Sequence, residues 1–248
     1  MSGKQNRGTG RDFRDLPSFS DLDPATLAAL NAAARLVIYP AGQSVLFEGQ
    51  EFDFVGVVAS GALRIQKTLL DGRHSIVGLW VQGDILGCTI DGVSEFAIEA
   101  ATDAEVFAFP RAQFEALLDE FPDLDQAVLL NILNELDRAR DCIVIVSDQK
   151  IINRVAGFLL MMCKRFRGVE HLVEAGQNGI AIKIPVSRVD LAHLLGTRPE
   201  SISRAFHALA DNGDIDIMAP DLILIKDVSA LAAKAGEEDH PLRGSKIK

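Results

Sequence analysis

The sequence predicts an α+β protein with an antiparallel β domain in its N-terminal half and a helical unit in its C-terminal half. Between residues 37 and 109, short runs of Val, Ile, Leu and Phe are separated by Gly, Pro and Asp-Gly turns. That spacing is typical of antiparallel strands. A long amphipathic pattern begins at Pro122, and a second compact unit with a final hairpin follows residue 150.

The composition is that of an ordinary globular chain. Of the 248 residues, 48% are hydrophobic and 24% are charged, and no apolar run approaches the roughly 20 residues of a membrane span. The charged N-terminus lacks an apolar signal-peptide core. Three scattered cysteines form neither a disulfide framework nor a metal knuckle. We therefore expect a cytoplasmic protein with no membrane partner.

The net charge of −10 is unevenly distributed along the chain. Residues 1–150 carry 12 Lys and Arg against 23 Asp and Glu, whereas residues 151–232 carry nine of each kind. Because the acidity belongs to the N-terminal part, the C-terminal unit can still present a local basic face. The total charge therefore does not exclude nucleic acid as a partner.

Turn residues and changes in composition along the chain predict five segments and two local features. A short helix is expected at residues 23–34, and Asp71-Gly72 predicts a hairpin turn. The segments are a mobile arm at 1–15, a β domain at 16–121, a dimerisation helix at 122–150, a helical unit at 151–232 and a tail at 233–248.

The long helix carries an apolar seam with a period of 3.5 residues. Polar neighbours such as Asn131 and Glu135 are predicted to flank it. Such a seam packs either within its own domain or against a second copy of the helix. The period, and the position of the helix between two blocks, favour a parallel homodimer. The predicted interface consists of Leu129, Ile132, Leu136, Ala139, Ile143 and Val146.

Residues 186–213 have the pattern of two short helices joined by a tight turn. Ser187 and Asp190 predict an N-terminal cap, Gly196 permits the turn, and Pro199 suits the start of the second helix. The hairpin expected at residues 215–224 completes a winged helix–turn–helix. The predicted apolar faces are Leu191, Leu194 and Leu195 in the first helix, and Ile202, Phe206 and Leu209 in the second.

The opposite face of the second helix carries Glu200, Ser203, Arg204 and His207. A guanidinium can bond N7 and O6 of guanine, and a carboxylate can accept from the amino group of cytosine. Glu200 and Arg204 lie near the N-terminal end of the helix, where a recognition helix presents its base-reading side chains. The alternative is a solvated Glu–Arg pair worth about 0.2–0.5 kcal/mol. The adjoining turn and hairpin favour base readout.

Taken in order, these features resemble bacterial transcription regulators of the CRP/FNR family over about residues 16–232. The resemblance rests on the glycine-spaced β block with Gly-Asp-Ile-Leu-Gly at 83–87, the long helix and the winged helix–turn–helix. The sequence Glu-Ser-Ile-Ser-Arg at 200–204 is similar to the E-x-x-S-R recognition signature of the FNR and FixK branch. The implied fold is an N-terminal β-roll of the cyclic-nucleotide-binding type, a dimerisation helix and a C-terminal winged helix–turn–helix.

The resemblance also implies partners and DNA contacts. Glu200, Ser203 and Arg204, with Ser201 between them, would read a TTGA-type half-site on double-stranded DNA. Two half-sites would form an inverted repeat bound by a homodimer. Arg188 matches a family position that contacts the DNA backbone. RNA polymerase is the further partner implied, and the loop at residues 168–179 is the candidate surface for it.

The residues of the β block depart from the effector-binding members of the family. Where cyclic-AMP-binding members have a Gly-Glu pair, this chain has Gly87-Cys88, and residues 94–97 offer no arginine. Glu95 would repel a cyclic phosphate, which needs aimed cations or donors. Residues 1–87 contain no cysteine, so iron–sulfur ligation is not expected either. We therefore predict no cyclic AMP, no iron–sulfur cluster and no bound cofactor.

The signal that the protein receives is left open by the sequence. A haem sensor is one alternative, although His74 in the β block is a lone histidine and no axial ligand can be assigned. Thiol sensing through Cys142 or Cys163 is another, and Lys164 and Arg165 beside Cys163 would favour a thiolate there. Cys88 has no assigned role. The third alternative is regulation without any effector, as in FixK-like members.

Two other classes of protein are rivals for these features. A cupin-type enzyme needs grouped histidine and carboxylate ligands, and the β block offers only His74. A signalling adaptor would use the β block for docking and the helical unit as scaffold. We therefore predict no catalytic residue, no metal ligand and no enzymatic activity.

Overall fold

A computed structural model describes residues 11–51, 53–69, 74–87, 93–166, 169, 172–176 and 178–236. It gives the backbone alone at His74 and at a two-residue strand near the N-terminus. The chain divides into two compact units, Met1–Asp137 and Arg138–Lys248. The division lies inside the long helix rather than at either of its ends.

The first unit is a roll of two antiparallel sheets with helices packed on one face of one sheet. One sheet has the strand order β1-β2-β9-β4-β7 and the other has the order β3-β8-β5-β6. The predicted β-roll is therefore confirmed. Its elements are β1 (Lys4–Gln5), α1 (Pro24–Ala33), β2 (Arg35–Tyr39), β3 (Ser44–Leu46), β4 (Phe54–Ser60), β5 (Ala62–Thr68), β6 (His74–Val81), β7 (Ile85–Leu86), β8 (Ala97–Ala100), β9 (Ala104–Pro110), α2 (Arg111–Glu120) and the start of α3 (Pro122–Ser147).

Two hydrophobic clusters stabilise the roll, one on each face of the sheet that contains β4 and β9. Because side chains alternate along a strand, Val57 and Phe109 contribute to one cluster, whereas Val58 and Val106 contribute to the other. The first cluster includes the buried residues of α1 and α2, and the second fills the interior between the sheets. This alternation explains why β4 reads as a continuous apolar run.

The N-terminal segment is packed over part of the length predicted to be a mobile arm. Phe13 is completely buried, and its ring lies 4.4 Å from that of Phe107 in a stacked arrangement. Asp12 caps the short 3-10 turn Phe13–Asp15, and Arg11 forms an ion pair with Glu105. The predicted arm is therefore too long, because a single buried aromatic side chain holds residues 11–15 against the roll.

The hairpin turn predicted at Asp71-Gly72 falls between β5 and β6 in the sequence. These strands pair in antiparallel register, with Thr68 opposite His74. The turn residues themselves lie outside the described part of the chain.

The second unit surrounds α4, whose residues 155–163 are all buried. This helix packs against α6 and α7. A four-stranded antiparallel sheet with the order β10-β11-β13-β12 lies beside the helices. The elements after α3 are α4 (Ile151–Arg165), β10 (Val173–Gly176), β11 (Gly179–Lys183), α5 (Arg188–Leu194), α6 (Pro199–Asp211), β12 (Ile215–Ala219), β13 (Leu222–Ile225) and α7 (Val228–Ala235).

Two boundaries of the second unit differ from the sequence prediction. The segment expected as a loop at 168–179 contains β10, which pairs with β11 from Val173 to Gly176. The tail was expected from residue 233, but α7 continues to Ala235 and ends at Gly236. Gly236 adopts φ +71°, a left-handed conformation that suits glycine at a helix C-terminus.

Candidate nucleic-acid interface

The turn between α5 and α6 forms as its residues predict. The Ser187 hydroxyl accepts from the backbone N–H of Asp190 at 3.1 Å and donates to the Asp190 carboxylate at 2.8 Å. This arrangement caps α5. Gly196 adopts φ +61°, where a residue with a Cβ would be strained, so the chain can turn sharply between the two helices. Pro199 is the first residue of α6.

The apolar faces of both helices are buried in the unit. Ile202, Phe206 and Leu209 are each at most 1% exposed, as predicted for one side of α6. In α5 and its cap, Leu191 and Leu195 are buried, whereas Leu194 is half-buried. Burial of the apolar side fixes which side of α6 faces solvent.

The polar face of α6 presents the residues proposed to read bases. Glu200, Ser203 and Arg204 are exposed, and Ser201 is half-buried beside them. The Ser201 hydroxyl accepts from Nη2 of Arg204 at 3.3 Å. Among the ion pairs of the described residues, none joins Glu200 to Arg204. In the described residues, the Arg204 guanidinium thus bonds to Ser201 and not to Glu200.

Arg188 lies beside this face, in a more enclosed setting than a simple phosphate contact requires. Its guanidinium carbon is 3.6 Å from the centroid of the Phe206 ring, a cation–π contact. Burial lowers the pKa of the Arg188 guanidinium, and the nearby Asp221 carboxylate opposes that shift. Its Nη1 atom is buried and has no hydrogen-bond partner among the described residues. Arg188 therefore contacts the ring on the buried side of α6 in addition to facing the wing.

The wing and the start of α6 hold residues that the sequence analysis did not single out. Arg198 is exposed at the N-cap of α6, next to the polar face of the helix. Its position immediately before Pro199 was the available signal. In the wing, Lys226 pairs with Asp216 at 2.7 Å, and Met218 is 63% exposed. Lys226, at the end of the hairpin away from its tip, is thus already engaged by a carboxylate.

The predicted dimer seam of α3 is largely exposed in the single chain. The exposed fraction is 55% for Leu129, 45% for both Ile132 and Leu136, and 66% for Ile143. Ala139 is also exposed, whereas Val146 is half-buried. The sequence analysis missed three further exposed apolar side chains on this helix, Leu130, Leu133 and Val144. Exposed side chains of this size along one helix mark an interaction surface.

The last part of α3 packs on α4 through a different set of residues. The Cys142 thiol lies 3.7 Å from the sulfur of Met161, and Asp141 pairs with Arg165 at 2.9 Å. Ile145 lies so close to Gly157 that an added Cβ at this glycine would be 3.1 Å from the isoleucine side chain. These contacts bind the C-terminal turns of α3 to the rest of the second unit.

Asn131 in the first part of α3 is a buried anchor rather than a flanking surface residue. It is 4% exposed, and its amide donates to the Gly83 carbonyl at 2.8 Å while accepting from the Ile85 N–H at 3.2 Å. One turn later, Glu135 accepts from the Trp80 indole N–H at 2.9 Å. Asn131 thus flanks the predicted seam as a buried residue, because its amide satisfies backbone groups of the turn before β7.

The region of the roll that holds a cyclic nucleotide in effector-binding relatives has no phosphate-binding arginine in its described part. Lys67 is the neighbouring cation, and it donates to the Glu95 carbonyl and pairs with Glu48 at 3.0 Å. The hydrogen bond from Lys67 lowers the pKa of the Glu48 carboxylate. Cys88, which replaces the family glutamate, lies outside the described residues.

A cavity of about 860 Å³ opens at the end of the roll. It lies between β2, β3 and the start of β4, with Tyr39, Leu46 and Phe54 among its lining residues. Its charged lining residues are one arginine and two carboxylates, namely Arg35, Glu51 and Asp53. This charge balance does not favour a phosphate.

The two described cysteines that are candidates for thiol sensing lie in surroundings that disfavour a thiolate. Burial, followed by the charge of Asp141, raises the pKa of the Cys142 thiol, and Cys163 is 1% exposed. Nothing is described of the His74 side chain. Over the described residues there is no group of three or more His, Cys, Asp or Glu that could hold a metal ion. Within the same ranges, no helix combines the length and apolar character needed to cross a membrane.

Comparison with known families and proteins accounts for both units. Residues 36–121 match the cyclic nucleotide-binding domain, and residues 153–234 match the Crp-like helix–turn–helix domain. The nitrogen fixation regulation protein FixK of Bradyrhizobium diazoefficiens is 32% identical over 216 residues, which are 86% of this chain and 89% of that protein. The transcriptional activator protein FnrL of Cereibacter sphaeroides is 27% identical over 216 residues, covering 87% and 86% of the two chains.

The fold comparison agrees with the sequence comparison. The structure of FixK2 from Bradyrhizobium japonicum superposes with a TM-score of 0.71 at 26% identity, covering 81% of this chain and 96% of the other. A β-roll of the cyclic-nucleotide-binding type, a long helix and a winged helix–turn–helix therefore occur here in the family's order. The chain belongs to the CRP/FNR family and is a DNA-binding transcription regulator.

Proposed function

We propose that this regulator binds an inverted repeat of TTGA-type half-sites as a homodimer, with one α6 helix in the major groove of each half-site. The observation that carries the proposal is the composition of the two sides of α6. One side is fully buried in its own unit, and the other presents Glu200 and Arg204 to solvent near the N-terminal end of the helix. That end is where recognition helices of this type contact base edges.

The exposed residues divide between base readout and backbone contact. Arg204 would donate to guanine, while Glu200 would accept from the amino group of cytosine. Ser201 holds the Arg204 guanidinium, which reduces the freedom that Arg204 loses on binding. Ser203 adds a neutral hydroxyl to the same face. Arg188 would contact a phosphate while remaining stacked on Phe206.

The homodimer follows from the unburied stripe on α3. A Leu or Ile side chain contributes about 1.5–3 kcal/mol when it is fully buried, and this helix leaves a row of them roughly half exposed. A second copy of the same helix covers such a stripe when the apolar residues recur with a period of 3.5. The first proposed partner is therefore a second copy of the chain. The other two proposed partners are double-stranded DNA in the cytoplasm and RNA polymerase at the promoter.

We also propose that the β-roll responds to no cyclic nucleotide and holds no haem or iron–sulfur cluster. Residues 94–97 lack a cation for a cyclic phosphate, and the neighbouring Lys67 is already paired with Glu48. Activity would then follow the amount of protein made, as in an effector-independent regulator. A purified protein with a Soret band, with bound iron and sulfide, or with DNA affinity that rises on adding cyclic AMP would contradict this reading.

Substituting Arg204 tests the base-reading role. In fluorescence anisotropy with an inverted-repeat duplex, Arg204→Ala should lose about 1–3 kcal/mol of binding free energy for each base contact removed. It should also lose the preference for the intact half-site over a duplex with the contacted guanine replaced.

The matched control is Asp211→Ala, at the exposed C-terminal end of the same helix, which should leave the base preference unchanged. An Arg204→Ala protein that keeps the wild-type affinity and base preference would show that α6 does not read this site.

A further inference from the structure

Arg154, in the first turn of α4, joins two separate stretches of backbone. Its Nε donates to the Asp148 carbonyl at 2.7 Å. Its Nη1 donates to the Leu195 carbonyl at 2.8 Å and approaches the Gly196 carbonyl at 3.3 Å. Asp148 immediately follows α3, and Leu195 and Gly196 form the turn of the helix–turn–helix. One guanidinium therefore ties the end of the long helix to the turn before the recognition helix.

The acceptors on the helix–turn–helix side suit an arginine. The last carbonyls of an α-helix have no partner within the helix, and those of Leu195 and Gly196 follow the end of α5. The guanidinium presents its N–H groups in a fixed planar fork, so it can bond acceptors in two directions at defined angles. A lysine ammonium is a single point with flexible reach and cannot reproduce that geometry.

The acceptor on the α3 side is held rigidly by its own neighbours. The Asp148 carboxylate accepts from the backbone N–H of Lys150 at 2.7 Å and from the Asn153 amide at 3.1 Å. These bonds lower the pKa of Asp148, so the carboxylate stays charged and bonded at neutral pH. The short connection between α3 and α4 is therefore a braced turn, and the Asp148 carbonyl has a defined direction.

We propose that Arg154 is a positioning residue that fixes the helix–turn–helix relative to the end of α3 and thereby sets the half-site spacing that the dimer accepts. This inference rests on the proposed homodimer. In a dimer clasped along α3, the separation of the two α6 helices depends on how each helix–turn–helix is set onto its own α3. Inserting one base pair between half-sites displaces one of them by about 3.4 Å and rotates it by roughly a tenth of a turn. A rigid connection rejects that change, and a loosened one tolerates it.

The test measures spacing preference separately from base preference. Anisotropy is recorded with a single half-site and with inverted repeats whose spacers increase by one base pair at a time, for the wild type, Arg154→Ala and Arg154→Lys. Wild type should prefer its best spacer over the neighbouring ones by about tenfold, similar to the cost of a mismatched base pair. Both variants should flatten this preference to about threefold or less while keeping base preference on the single half-site.

Lys150→Ala is the matched control. Lys150 is an exposed cation of the same connection, and its described hydrogen bonds involve only its backbone, so the spacing profile should remain that of the wild type. Circular dichroism melts show whether each variant is folded, and Arg154→Lys retains the charge if Arg154→Ala does not fold.

The possible results separate this inference from the proposed function. Arg154 variants that keep a sharp spacing preference would overturn the positioning role, as would a wild type that binds all spacers equally. Variants that lose base preference on the single half-site in proportion to their spacing preference would show a merely structural role. A wild type that binds neither the half-site nor any repeat would overturn the proposed function itself.

Discussion

Two amphipathic helices of the chain, α6 and α3, place their apolar sides in opposite environments. In α6, Ile202, Phe206 and Leu209 are buried in their own unit, and the polar side faces solvent. In α3, Leu129 and Leu136 are about half exposed, while a polar residue, Asn131, is buried along with Leu124 and Val128. The sequence patterns of the two helices look alike, so the pattern alone does not decide which side a helix turns inward.

The difference indicates what each helix is built to contact. A helix that buries its apolar side within its own unit presents only polar groups to a partner. Polar groups in a fixed arrangement distinguish one base sequence from another. A helix that leaves its apolar side open offers area, which stabilises an association with little dependence on detail. The proposed function accordingly gives recognition of DNA to α6 and association of subunits to α3.

The largest loss of stability is expected from shortening a side chain on the buried side of α6. Phe206→Ala should lower the free energy of unfolding by about 3–5 kcal/mol, because it leaves a cavity in the second unit and removes the ring under Arg188. Urea unfolding followed by circular dichroism measures the change. Ser203→Ala, on the exposed side, should stay within about 0.5 kcal/mol of wild type. Equal losses for the two variants would contradict the assignment of the two sides.

A substitution on the exposed side of α3 should lower the free energy of unfolding less than Phe206→Ala does. Its main effect should be on the association of subunits. Leu136→Glu places a carboxylate in the stripe and removes about 1.5–3 kcal/mol of burial from each subunit at the interface. The variant should sediment as a monomer and lose affinity for the inverted repeat, with binding to a single half-site retained. Leu136→Met, which keeps the volume and apolar character, should remain a dimer. A Leu136→Glu protein that still sediments as the wild type does would place the interface elsewhere.

The smallest effect is expected at Arg188, which lies at the edge of the recognition surface. If its guanidinium contacts a phosphate, Arg188→Gln should reduce the slope of log K against log salt by about 0.9 for each subunit. The loss of affinity should be similar for all DNA sequences. Anisotropy over a range of salt concentrations measures the slope. An unchanged slope with weakened base preference would show that the stack on Phe206 is the main contribution of Arg188.

Most of the fold could be predicted from the sequence because its signals are local. Gly196 and Pro199 define the turn and the start of α6, and short apolar runs separated by turn residues mark the strands of the roll. Asn131 could not be placed in the same way, because its partners are backbone groups of residues 83 and 85, far away in the sequence. Phe13 was missed for a similar reason, since a lone aromatic residue in a polar segment does not reveal the cluster it joins.

For the candidate site, too, the local patterns could be predicted from the sequence and the contacts between distant residues could not. Helical periodicity predicts which side of α6 is exposed. Periodicity does not predict that, in the described chain, Arg204 bonds to Ser201 and not to Glu200. The bonds of Arg154 to backbone carbonyls have no sequence signature, because any residue supplies a carbonyl. The stack of Arg188 on Phe206 likewise requires knowing that two helices cross at those residues.

The buried amide of Asn131 restricts where this chain can be spliced to another. A chimera that keeps this DNA-binding unit but takes a foreign sensor domain would need its junction after residue 135, so that the incoming part brings its own helix start and its own anchor. A junction placed earlier would carry Asn131 away from the carbonyl and N–H that satisfy it, at a cost of about 1–3 kcal/mol for a polar group left buried and unbonded. Biosensors made from such regulators should therefore exchange the first turns of the helix together with the roll.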